Sequence, residues 1–124
     1  MVSIGRAAPQ AGPRKGDIVL VTFPEVGGHV QAGRRPAVVV QADRLSRSGT
    51  VILCPLTSAP PHDDLPRPHR VAIARAESGL DRDGWVKADQ FVTVSAGVLV
   101  RPIGRLAPAA MERVDAALRF VLDL

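Results

Sequence analysis

"GHVQAGRRPAVVVQ", residues 28–41, sets two adjacent arginines, Arg34 and Arg35, directly before Pro36 and then runs into four apolar residues, Ala37–Val40. A short continuous β-branched run of this kind predicts a buried strand. Pro36 suits the first residue of that strand, where no ladder N–H is needed. The glycine-flanked segment before it reads as a loop that reaches Arg35, so the sequence places two cations at the mouth of a buried strand.

The same β pattern recurs on both sides. "DIVLVTF" (17–23) is closed by Pro24, Gly27 and Gly28, and "TVILCPL" (50–56) follows a turn-rich "ADRLSRSG". "TSAPPHDDLPRP" (57–68) holds four prolines and reads as a loop of restricted backbone. "HRVAIA" (69–74) and "GWVKADQFVTV" (84–94) read as strands around the turn "GLDRDG", and "GVLVRPIGRL" (97–106) supplies one more. After Pro108 the period changes, and Met111, Val114, Leu118, Val121 and Leu122 mark one face of a helix. Pro108 fits the first helical turn, whereas Ala107 is a poor N-cap and predicts a frayed end. The expected architecture is a compact curled sheet of short strands with a C-terminal helix.

Composition bounds the rest. At 124 residues the chain has room for one modest core, and 46% apolar residues with 3% aromatics require a core of valine, leucine, isoleucine and alanine. Residues 1–15 mix Ala, Pro, Gly and Arg without period and read as a flexible tail, leaving 16–124 as a single domain. The net charge is +4, with 16 Lys plus Arg of which only Lys15 and Lys87 are lysines. Arginine favours planar phosphate contacts, but a basic surface alone does not establish nucleic-acid binding. A lone cysteine, Cys54, gives no disulfide framework and no CxxC site. No apolar run approaches a membrane span and the N-terminus lacks an apolar signal core, so the expected compartment is the cytoplasm, with no membrane association.

Four blocks in order, "GHVQAGRRPAVVV", "CPLTS", "VKADQ" and "IGRLAP", followed by the helix pattern, resemble the MazF/PemK family of toxin endoribonucleases from about Gly16 to Leu124. The resemblance implies an SH3-like β-barrel with a C-terminal helix (the CcdB/PemK-like toxin fold) and a homodimer. It also implies cofactor-free, metal-independent cleavage of single-stranded RNA, held in check by a cognate acidic antitoxin. Carried over residue by residue, Arg35 matches the family's catalytic arginine and Thr57 its catalytic threonine. Gln31, Arg34, Ser58 and Gln90 are the corresponding RNA-binding candidates. Two departures stand out: Val30 replaces a glutamate common in the "GHEQ" form of the loop, and Val92 stands where many relatives carry arginine after "DQ".

Cleaving RNA without metal needs a base for the 2′-hydroxyl, an acid for the departing 5′-oxygen and donors for the phosphorane charge. Arg35 suits the donor role through its fork of N–H groups, and the Thr57 hydroxyl adds another. A guanidinium is a poor proton acceptor, so His29, six residues before Arg35, or a bound water is the candidate base. Each residue has a plainer reading as well. The arginines read as a solvated loop pair, Thr57 as a strand end bonding the next turn, and Trp85 as either a base-stacking ring or a core side chain. His62 and His69 flank the proline loop near Asp63 and Asp64 without a metal-ligand spacing. The rival functions are a non-enzymatic toxin of the same fold that poisons gyrase by binding, or an inactive relative that binds RNA or antitoxin.

Overall fold

The computed structural model describes residues 12–23 and 33–124. His29, Val30 and Gln31, and most of the expected N-terminal tail, lie outside the described residues. The elements run β1 (Asp17–Phe23), β2 (Gly33–Val39), β3 (Thr50–Thr57), β4 (Arg70–Ile73), α1 (Arg75–Ser78), β5 (Gly84–Lys87), β6 (Val92–Ser95), β7 (Leu99–Arg105) and α2 (Pro108–Leu122).

All pairings are antiparallel, in the order β4-β5-β3-β2-β1-β7, with β6 also on β3. The sheet is barrel-like, yet among the described residues its hydrogen-bonded path ends at β4 and β7 and does not close. One face packs Ile18, Val38, Cys54 and Leu56 against Ala110, Met111, Val114 and Ala117 of α2. On the other, Val19, Val21, Ala37, Val39, Val51 and Leu53 are covered by Val94, Val98 and Leu99 as the sheet curls over itself. The core is therefore aliphatic, as the composition demands. Two alanines, Ala110 and Ala117, complete the buried helix face, while Leu122 at its end is exposed. Pro108 opens α2 and Ala107 provides no side-chain cap. Among the described residues, no helix is long and apolar enough to cross a membrane.

Three local features differ from the expected strands. β2 starts at Gly33 rather than Pro36, so Arg34 and Arg35 are strand residues opposite Thr22 and Val21 of β1. The clash of a proline ring with the residue before it favours extended backbone at Arg35, which carries the strand back through both arginines. The run "GWVKADQFVTV" is two strands, not one, joined by a single-turn 3₁₀ helix at Ala88–Gln90. Both strands pair with β3, but their registers differ: the five residues 87–91 stand opposite only Cys54 and Pro55, and the surplus is extruded as that turn. Finally, Arg75–Ser78 forms a one-turn helix ahead of the "GLDRDG" turn, closed by Gly79 in the left-handed region (φ 77°), a conformation that favours glycine.

Candidate functional site

Strands β2 and β3 pair only from Val39↔Leu53 to Ala37↔Pro55. Extending that register by two residues would place Arg35 opposite Thr57. The ladder stops short of them, where Pro36 and Pro55 have no N–H to offer and β3 exchanges its pairing on the other edge from β6 to β5. A cleft of about 700 Å³ opens at this splayed end. Arg35 and Pro36 of β2, Thr57 and Ser58 at the end of β3, and Phe23 at the end of β1 line one part of it. The turn 80–84, Lys87, Gln90 and Val92 line the rest.

The Thr57 hydroxyl accepts the Ala59 N–H at 3.1 Å, closing the turn after β3. Its oxygen is thereby engaged as an acceptor, and its own hydrogen remains available to an anion in the cleft. The plainer reading of Thr57 as a strand end is thus correct and compatible with a donor role. Arg35 is exposed and forms no salt bridge among the described residues. Gly84 sits so close to β3 that a Cβ there would come within 2.9 Å of the Thr57 carbonyl oxygen. The start of β5, into which the 80–84 turn leads, is therefore packed directly against the end of the strand that carries the threonine.

Of the residues singled out from sequence, the fold gathers Arg35, Thr57, Ser58 and Gln90 in the cleft. Arg34, one residue from Arg35 on a strand, points to the opposite side and does not line it. His29 and Gln31 lie outside the described residues. Trp85 is half-buried, pairs in register with Thr57, and is not among the lining residues. Lys87 and Arg82 are cations of the cleft that sequence reasoning passed over. The signal for Lys87 lay in the "VKADQ" block, three residues before Gln90; Arg82 sat in a stretch read only as a turn. Arg70 is 3.8 Å from Asp89 in the extruded turn, and its Nε has no hydrogen-bond partner among the described residues.

Two other groups have narrower chemistry than their residue types allow: Cys54 is no nucleophile, and the histidines of the proline loop are not part of a metal-ligand cluster among the described residues. Burial in the core, reinforced by the nearby Asp89 charge, pushes the Cys54 thiol up to about 12, so it stays protonated and is no nucleophile at neutral pH. Among the described residues no three His, Cys, Asp or Glu side chains are grouped to hold a metal ion, His62 and His69 included.

Residues 14–122 match the family model described as the PemK-like, MazF-like toxin of type II toxin-antitoxin systems. The chain belongs to this family. It is 32% identical to Endoribonuclease MazF9 of Mycobacterium tuberculosis, over 90% of this chain and 97% of that one. In fold it is similar to a mycobacterial endoribonuclease solved in complex with its cognate antitoxin, with a TM-score of 0.73, 24% identity and coverage of 91% of this chain and 97% of that one. MazF of Deinococcus radiodurans is as similar, with a TM-score of 0.72, 24% identity and coverage of 91% and 98%. In this PemK/MazF-like toxin the cleft at the splayed end of β2 and β3 thus holds the arginine and threonine matched from the family pattern. Val92 lines that cleft too and gives it an apolar wall.

Proposed function

We propose that this toxin is a sequence-specific endoribonuclease that cleaves single-stranded RNA in the cleft between Arg35, Thr57 and the 80–84 turn. The observation that carries the proposal is the meeting of Arg35 and Thr57 at the end of β2 and β3, in a cleft that also offers cations and apolar surface. The substrate's 2′-oxygen attacks the adjacent phosphorus, the P–O5′ bond breaks, and the products are a 2′,3′-cyclic phosphate and a 5′-hydroxyl. Arg35 donates to the non-bridging oxygens as negative charge accumulates, and the Thr57 hydroxyl donates alongside it. Both sit on adjoining strands, which hold them in fixed relation. His29 or a water takes the 2′ proton, and Arg35 or solvent supplies a proton to O5′.

Lys87 and Arg82 extend the positive track for flanking phosphates, and Phe23, Leu80 and Val92 give bases apolar surface. Gln90 and Ser58 offer hydrogen bonds to exposed base edges, which single strands present and duplexes hide. The partner proposed is an acidic antitoxin whose negative segment occupies this track, and the proposed working form is a homodimer in the cytoplasm.

The test is incubation of purified protein with a mixed single-stranded RNA pool in EDTA, with sequencing of the new ends. Cleavage that survives chelation and leaves a 5′-hydroxyl at a short recurring motif is the expected result. Intact RNA from folded, antitoxin-free protein would remove the reading.

A further inference from the structure

The cleft is not uniformly basic. Two carboxylates, Asp81 and Asp83, line it opposite the strand ends. Their situations differ. Asp83 is engaged, its Oδ1 accepting the Arg75 N–H at 2.8 Å at the start of α1. Asp81 is exposed and has neither a hydrogen bond nor a salt bridge among the described residues. The backbone that carries it is nevertheless fixed at several points. Gly79 closes α1, Leu80 donates its N–H to the buried Ser78 hydroxyl at 3.1 Å, and Leu80 packs against the helix-side core. Beyond Asp81, the Asp83 bond and the close approach of Gly84 to Thr57 hold the other end.

A carboxylate in an RNA groove is repelled by every phosphate and accepts hydrogen bonds only. What it can bind on a nucleotide is an N–H or O–H donor. Guanine is the base whose Watson–Crick edge places two N–H donors side by side, at N1 and N2, matching the two oxygens of a carboxylate as a guanidinium fork does. Adenine and cytosine offer that edge one amino donor beside a ring-nitrogen acceptor, and uracil one N–H between two carbonyl oxygens, so each would turn an acceptor toward one oxygen of the carboxylate.

We propose that Asp81 is a specificity-determining residue of this cleft, reading the Watson–Crick edge of a guanine next to the cut bond. The inference rests on the ribonuclease reading and adds a base to it. Asp81 takes no part in the bond-breaking step. Its turn leads into Gly84, the residue of β5 that abuts Thr57, and both Asp81 and Thr57 line the one cleft, so the base it reads is a neighbour of the scissile phosphate on the same RNA strand.

The experiment maps cleavage motifs for the wild type, Asp81→Asn and Asp81→Glu on a random single-stranded RNA pool. A parallel arm measures binding to uncleavable 2′-deoxy oligonucleotides that differ in one base. Guanine enriched at one position beside the cut in the wild type, weakened by about tenfold or more in Asp81→Asn and retained in Asp81→Glu, is the expected result. Unchanged motifs in Asp81→Asn, or a wild-type motif lacking guanine there, would overturn the inference while leaving the ribonuclease reading intact. Loss of cleavage at all motifs in Asp81→Asn with unchanged base preference in binding would also overturn it and make Asp81 a group acting on the reacting atoms. If the wild type does not cleave, the ribonuclease reading fails on its own, and the binding arm still decides whether Asp81 selects guanine.

Discussion

Arg35 and Thr57 divide the phosphate between a charged fork and a neutral donor, and the two substitutions that isolate these properties have different expected outcomes. Thr57→Val removes the hydroxyl while nearly preserving shape, and loss of one transition-state donor lowers kcat by about 10²-fold. Thr57→Ser keeps the hydroxyl and most of the rate. Because the Ala59 N–H that Thr57 caps belongs to an exposed turn, both variants should unfold within about 1 kcal/mol of the wild type in urea titrations. A kcat for Thr57→Val equal to that of Thr57→Ser would remove the hydroxyl from the chemistry. Arg35→Lys tests the fork: it retains the charge and loses bidentate geometry, so single-turnover cleavage falls well below wild type although RNA affinity changes little.

At the scale of elements, the cleft exists because β3 serves three neighbours, β2 on one edge and β6 then β5 on the other. Gly84→Ala forces a methyl against the Thr57 carbonyl and pushes the 80–84 turn outward. Its expected signature is a loss of cleavage out of proportion to any fall in Tm, read by parallel kinetics and thermal melts. Leu53→Ala acts oppositely: Leu53 is fully buried in the sheet's second core, so truncation costs about 2–5 kcal/mol while the rate of the remaining folded protein holds. Much of this frame was legible in the residues. The apolar runs gave β1 and β3 nearly to the residue, and the 3,4,3 spacing after Pro108 gave α2, because both signals are local. The start of β2 is less legible, because Pro36 looks like a first strand residue while the restriction it imposes on Arg35 extends the strand backwards. The break in "GWVKADQFVTV" was hidden for another reason. It arises from a register mismatch against β3, a tertiary quantity with no mark in the local pattern. Lys87, the last residue of β5, and Gln90, in the turn that follows, reach the cleft at that same mismatch, which is why the local pattern does not single out the lysine.

Across the whole molecule, α1 is tied to α2 by Glu77, which accepts from Arg113 Nη2 at 2.8 Å and from the Ala74 N–H at 3.1 Å. The Arg113 hydrogen bond, followed by the Ala74 one, holds the Glu77 carboxyl below its usual range. The folded state then resists a proton that the unfolded chain accepts, so this contribution is full above the ordinary carboxylate range and is lost as pH falls through the depressed value. The difference in urea midpoint between wild type and Glu77→Gln should therefore be present at neutral pH and shrink as pH falls below the ordinary carboxylate range. RNA binding carries its own global signature. If Arg35, Arg82 and Lys87 each neutralise one phosphate, the slope of log affinity against log salt for a single strand is about −2, and Lys87→Ala should reduce it by roughly 0.7. The most direct measurement of the central claim is single-turnover cleavage of one mapped RNA in EDTA by wild type and Arg35→Ala, alongside binding of its uncleavable 2′-deoxy analogue. The account predicts a rate lower by about 10²–10³-fold in Arg35→Ala with binding reduced far less. Equal rates in the two proteins would place the chemistry elsewhere than the end of β2 and β3.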